Sequence, residues 1–174
     1  GAHTVRSPKT FKRIHFPFEK TGYGAEHTVY PPFTPVKVSG GKAVEVVGRR
    51  YTVNGFGCFD AVESLGRQLL AAPIRLHGET AGGPMAWTEN AATGKALHED
   101  QAVFTGSAES AAVVVTARTT VEEDGCARVE VTLAPGKDAA QIERLWLDVP
   151  LKDAEAPLFH YIADNGMRFN YAGR

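Results

Sequence analysis

Cysteine, methionine and tryptophan are scarce, with two of each among 174 residues. Two thiols, Cys58 and Cys126, are too few for a Cys-rich zinc site. They allow at most one bridge, and only if their strands lie side by side, which the sequence leaves open. A bridge would favour export, to the periplasm or the extracellular space. Excess charge of one sign is also missing. Nineteen basic residues against 20 acidic ones leave a net charge of -1, which removes the electrostatic footprint of a nucleic-acid or anionic-membrane partner. No apolar run approaches the roughly 20 residues of a membrane helix, and Gly1 to Ser7 lack the apolar core of a signal peptide. The chain opens Gly-Ala-His rather than with Met, the expected mark of processing or trimming, so the compartment stays open. No Gly-x-Ser-x-Gly elbow frames a serine. Gly22-Tyr23-Gly24 and Gly82-Gly83 lack the strand and helix context of a nucleotide fingerprint and read as turns. No cofactor and no metal are expected.

What is present is β-structure. Residues 111–135, AAVVVTARTTVEEDGCARVEVTLAP, are two runs rich in β-branched residues joined by Glu-Asp-Gly. β-Branched residues favour a pleated, half-buried surface. Asp124-Gly125 supplies the positive torsions of a tight primed turn, so the segment reads as a long antiparallel hairpin. From Phe33 onward, short runs alternate with glycine turns: Pro35 to Val38, Ala43 to Val47 and Tyr51 to Val53. Such spacing is the signature of a sandwich or barrel.

Residues 61–72, AVESLGRQLLAA, have some helical periodicity, but Gly66 in the middle costs a helix roughly 1 kcal/mol relative to alanine. Two short strands about Ser64-Leu65-Gly66 are the preferred reading. Residues 78–100 suggest a loop or a weak edge hairpin. Ile142 to Val149 form a strand whose apolar residues do not share one parity, so a bulge or two-sided burial is allowed. Pro157 to Tyr171 suggest two strands about Asp164-Asn165-Gly166, and their aromatic content suggests that the chain continues past Arg174.

The expected fold is an all-β antiparallel β-sandwich with an extended N-terminal arm and at most one short helix. Residues 1–32 are expected to be the arm or a linker and 33–174 the sandwich. Phe11, Ile14, Phe16, Phe18 and Tyr23 are too apolar for a solvated tail and should pack against something.

Chemistry is sparse. Glu122, Glu123 and Asp124 are the densest carboxylates, yet neighbours in a strand point to opposite faces, so they read as a solvated hairpin tip rather than an acid and base pair. His98-Glu99-Asp100 with His77 has the donor types of a mixed cation site, against the plainer reading of a polar surface loop. Amphipathic aromatics can present flat faces to sugar rings. Trp87, in a glycine-rich loop, with Tyr161 and Tyr171, forms the candidate ligand set. Trp146, inside a strand pattern, is expected in the core.

Three early pieces, Pro32-Phe33-Thr34-Pro35-Val36-Lys37-Val38, Val47-Gly48-Arg49-Arg50-Tyr51 and Leu69 to Leu76, are followed by Val121 to Val131, Val149-Pro150-Leu151-Lys152 and Phe169-Asn170-Tyr171-Ala172-Gly173. In this order they resemble the N-terminal domain of proteins related to glycoside hydrolase family 123, over roughly residues 30–174. The resemblance implies a β-sandwich preceding a catalytic (β/α)8 barrel whose paired acids cleave N-acetylgalactosaminides. Those barrel motifs do not occur here, so no catalytic residue is carried over. The implied partner is a downstream (β/α)8 barrel, with a glycan as a further candidate ligand. Two other roles stay open: a carbohydrate-binding module with an aromatic platform, and an assembly domain marked by a sizeable apolar patch.

Overall fold

A computed structural model describes residues 9–22, 26–138, 140–162 and 170–173; the side chains of Phe159, Tyr161, Ile162, Asn170 and Tyr171 lie outside the description. The fold is all-β and its sheets are antiparallel. Strands β1 (Lys37–Ser39), β2 (Ala43–Val46), β3 (Arg49–Val53), β4 (Phe59–Ser64) and β5 (Arg67–Gln68) form a meander in sequence order. Strands β6 (Arg75–Thr80) and β7 (Gly83–Pro84) make a small sheet with the later strand Ile142–Asp148. The facing sheet holds β8 (Thr88–Glu89), β9 (Thr93–His98), β10 (Gln101–Glu109), β11 (Val113–Glu122) and β12 (Ala127–Pro135). Its order is β12-β11-β10, with β8 and β9 both pairing with β10. Strand β13 is Ile142–Asp148, and β14 (Phe159–Ile162) pairs with β15 (Asn170–Gly173). The turn about Asp164-Asn165-Gly166 lies outside the described residues.

Period-two alternation builds the core. Along β11, Val113, Val115, Ala117, Thr119 and Val121 are buried. On β10, Ala102, Phe104 and Ala108 are buried beside them. They pack against Val44, Tyr51 and Val53 of the meander, as two facing sheets bury their inner faces. Phe56 fills the space at one end, and its turn is locked by Asn54. That side chain donates to the Ile74 carbonyl at 2.9 Å and accepts from the Gly57 and Cys58 amides at 3.0 and 2.9 Å. Gly106 is needed here because a Cβ would stand 2.4 Å from the Gly57 nitrogen and 2.5 Å from the Gly55 oxygen. The backbones of the two sheets touch at this point.

Both hairpin expectations hold in outline. Around Ser64-Leu65-Gly66 the structure has β4 turning into β5, with Ser64 opposite Arg67. Leu65 and Gly66 have φ of 49° and 77°, the left-handed pair a two-residue type I′ turn demands. The long hairpin joins β11 to β12, but its turn differs from the two-residue primed form. Gly125 alone is left-handed, at φ 82°, and Glu122 N–H bonds to the Cys126 carbonyl across a three-residue loop. A type I turn closed by a left-handed glycine gives that loop. Nor is the tip simply solvated: Tyr51 Oη donates to the Gly125 carbonyl at 2.6 Å, and Arg49 donates to the same oxygen at 3.1 Å.

The sandwich is closed along one side. Val36 N–H bonds to the Glu99 carbonyl at 2.8 Å, which ties the start of β1 to the β9–β10 turn. Along the meander's far edge, Leu69 to Ala71 run beside Pro150 to Lys152, with Leu70 opposite Leu151. The other side is open, because β12 and β13 are both edge strands. Val131 and Leu133 stand opposite Ala117 and Val115, so they belong to the inner face, yet they are 48% and 52% exposed. Leu147, opposite Leu76, and Val149 are 43% and 50% exposed.

The arm departs from expectation. It carries one short 3-10 turn, Pro17–Lys20, which buries no residue. Phe11, Ile14, Phe16 and Phe18 stay exposed instead of packing inward; Tyr23 lies outside the described residues.

Candidate functional site

The bulge in β13 decides which side chains face outward. Register slips between Ile142 and Arg144, so Ile142 packs on the core, whereas beyond the bulge Leu145 and Leu147 take the inner face opposite Gly78 and Leu76. Arg144, Trp146 and Asp148 therefore line the outer face, across from Glu79, His77 and Arg75. Trp146 is half-buried but outside the core, contrary to the expectation from its strand pattern. Its indole stacks on the His77 ring at 5.4 Å and 16°, and the Arg144 guanidinium lies 5.1 Å from its centroid. His77 Nε2 is 3.3 Å from Asp148, and Arg144 is 3.5 Å from Glu79. Arg75 reaches Asp60 at 3.3 Å and Glu89 at 3.4 Å.

The result is a ladder of one indole, one imidazole and paired charges. Cross-strand pairs contribute about 0.2–1 kcal/mol each and an exposed cation–π contact about 0.5–1 kcal/mol. Partially exposed ion pairs add little. The ladder gives this face an aromatic centre with donors and acceptors around it, which suits a polar, ring-bearing ligand.

Trp87 sits elsewhere, in the connection between β7 and β8, half-buried and packed against the core. Its Nε1 is buried without a hydrogen-bond partner. Beside it, a cleft of about 220 Å³ is lined by Met85, Ala86, Ser110, Asp138 and neighbours, smaller than the roughly 300–1,000 Å³ of ligand pockets. An adjoining open cleft of about 340 Å³ brings Glu109, Lys137 and Asp138 to one rim. Both acids are exposed. Tyr161 and Tyr171 are opposite one another in β14 and β15 by backbone register. Their sheet is separate from the strands flanking Trp87.

The cation grouping is dispersed. His77 is bound into the Trp146 ladder, while His98 stacks on His27 at 3.5 Å, and His27 Nδ1 lies 3.0 Å from both Asp100 oxygens. Among the described residues no group of three or more His, Cys, Asp or Glu side chains is placed to hold a metal ion. The cysteines are free, Cys58 buried and Cys126 exposed. Burial pushes the Cys58 thiol up, the Phe59 backbone hydrogen bond pulls it down, and the Glu89 charge adds a small rise. A thiol so held is a poor nucleophile. Sequence reasoning missed the ladder because it assigned Trp146 to the core. The signal was in the parity, since Trp146 alternates with Leu145 and Leu147.

Comparison with known proteins adds the family. No curated protein matches the chain. A family model does, over residues 36–169, about three quarters of the chain: glycoside hydrolase 123, third domain. The expected position at the N-terminus of the family's proteins is thereby corrected to the third domain. Short strand pieces report how a sandwich is built and hold no record of which domains come before it. The chain belongs to the glycoside hydrolase 123 family, and its β-rich body matches that family's third domain.

Proposed function

We propose that this domain is a noncatalytic β-sandwich that supports a catalytic (β/α)8 barrel of a glycoside hydrolase 123 protein through protein contacts. Family membership over residues 36–169 carries the reading, because fold by itself does not name a reaction. The half-exposed apolar rims of β12 and β13 favour a protein neighbour over a small ligand, since contiguous apolar surface of this kind marks association sites. The test is an assay of the chain alone on an aryl N-acetylgalactosaminide. No turnover is expected, and hydrolysis would overturn the noncatalytic role. In a polypeptide that carries both domains, deletion of the sandwich should lower the barrel's melting temperature. An unchanged melting temperature would remove the supporting role.

A second reading, sugar binding, is favoured by the Trp146 ladder. Calorimetric titration with N-acetylgalactosamine separates the two. Binding abolished by Trp146→Ala, but retained in Trp87→Ala, would assign the glycan to the outer face of β6 and β13.

A further inference from the structure

One side chain fastens the arm to the sandwich. Among the described residues, His27 makes the only side-chain hydrogen bonds and the only ring stack that join residues 9–32 to the strands. Its Nδ1 lies 3.0 Å from both oxygens of Asp100, in the turn between β9 and β10. Its ring lies on that of His98, at the end of β9, with centroids 3.5 Å apart and planes 11° from parallel. Centroids that close leave no room for an offset, so the rings are eclipsed. Two neutral rings prefer an offset or edge-on arrangement, whereas a cation is drawn onto the face of an aromatic ring. One proton, held between the rings and the Asp100 carboxylate, therefore suits this stack. Two protons set like charges face to face.

We infer that the His27–His98–Asp100 contact is a pH-sensitive clasp on the N-terminal arm, which closes on one proton and opens on the second. Histidine is the side chain that ordinarily changes charge between pH 5 and 8. The other charged residues that the backbone brings to this end are Glu26 beside His27, Glu99 between His98 and Asp100, Glu122 across from Gln101, and Glu123 and Asp124 of the β11–β12 turn, where the Glu123 N–H bonds to the Asp100 carbonyl. From the meander come Lys37, which follows the Val36 tied to Glu99, and Arg49, which reaches the Asp124 and Gly125 carbonyls. Carboxylates, lysine and arginine ordinarily keep their charge over this range, so their field is constant. His15 is engaged within the arm, 3.1 Å from Glu19.

Proton counts set the direction. The free rings of the open form can take two protons, and the closed form takes one. Below the ordinary histidine pKa of about 6.5, opening takes up one further proton and becomes about tenfold more favourable per pH unit. Well above it the free rings are neutral, so closure must gain a proton and weakens again as pH rises. Attachment is greatest between these limits.

NMR on the full chain, nitroxide-labelled at the exposed Cys126, tests the clasp; Cys58 is buried and stays unlabelled. Broadening of the His27, Thr28 and Val29 amides reads the closed fraction. It should peak near about pH 6.5, and the closed-to-open ratio should fall about tenfold per pH unit on the acid side, while the amides of β6 keep their folded shifts. His98→Phe keeps a ring for His27 to lie on but cannot take the second proton, so its arm should stay attached in acid. Asp100→Asn should loosen the arm across the range. Broadening that does not decline in acid, or that declines equally in His98→Phe, would overturn the inference, as would an arm that stays far from the label at every pH.

Discussion

The two sides of the sandwich are built from similar residues and end differently. On the closed side, β1 meets the β9–β10 turn through Val36 and Glu99, and nearby Val44 and Phe104 have no exposed surface. On the open side, Leu133 and Leu147 belong to the same inner faces but keep about half their surface in water. Alternation decides which face a side chain takes. Whether that face is covered depends on a further strand, and β12 and β13 have none. The same apolar residue is thus core on one edge and half-exposed rim on the other.

Truncations should expose this difference. Phe104→Ala should cost about 3–5 kcal/mol by urea titration, because it combines lost burial with a cavity, whereas Leu133→Ala should cost less than about 1 kcal/mol. Equal losses would mean that the open side is already covered. Next in size is Asn54→Ala. It leaves the Cys58 amide and the Ile74 carbonyl without this partner in the interior, while Gly57 N–H keeps its bond to the Asn54 backbone carbonyl, and about 2–3 kcal/mol should be lost. A loss below 1 kcal/mol would show that water replaces Asn54 and that this end is as loose as the open rim.

A smaller effect follows from Cys58. Its folded pKa is raised by burial, so the folded state holds the proton more tightly than the unfolded one. That contribution is whole below the unfolded thiol's pKa near 8.5 and is lost as pH climbs toward the folded value, at most about 1.4 kcal/mol per pH unit. Cys58→Ala should flatten the part of the decline due to this thiol above about pH 8.5, and an unchanged slope would show that the site admits water. Smallest is a gain: Leu65 is 83% exposed and left-handed at φ 49°. Leu65→Asn should raise stability by about 0.5–1 kcal/mol, measured by thermal unfolding. No gain would mean that the Leu65 side chain, 3.3 Å from the Cβ position of Gly48, contributes packing that offsets the strain.

The strands were readable where one face is buried and the other is wet. Val113 to Val121 announce β11, and Leu65-Gly66 announces a hairpin against the helical periodicity of Val62, Leu65 and Leu69. The three-residue loop at Gly125 was not readable, because Asp-Gly also suits a two-residue turn and the choice rests on Arg49 and Tyr51 arriving from another sheet. The two tryptophans exchanged their expected surroundings for similar reasons. Trp87 lies in a loop, but the loop is pressed on the core, and Trp146 lies in a strand whose bulge turns it outward. The domain's rank within the family's longer proteins left no trace in local pattern.

The clasp on Gly125 has a kinetic consequence. Tyr51 and Arg49 grip a carbonyl 74 and 76 positions further along the chain, and Thr119 bonds to Gly57 across 62 positions. Strands β11 and β12 can zip together locally, but their inner face meets its cover only after these distant segments have been brought together. Assembly should therefore fall in the slow, milliseconds-to-seconds class of β-topologies dominated by non-local contacts, and until that cover arrives the newly formed hairpin presents its valines to solvent.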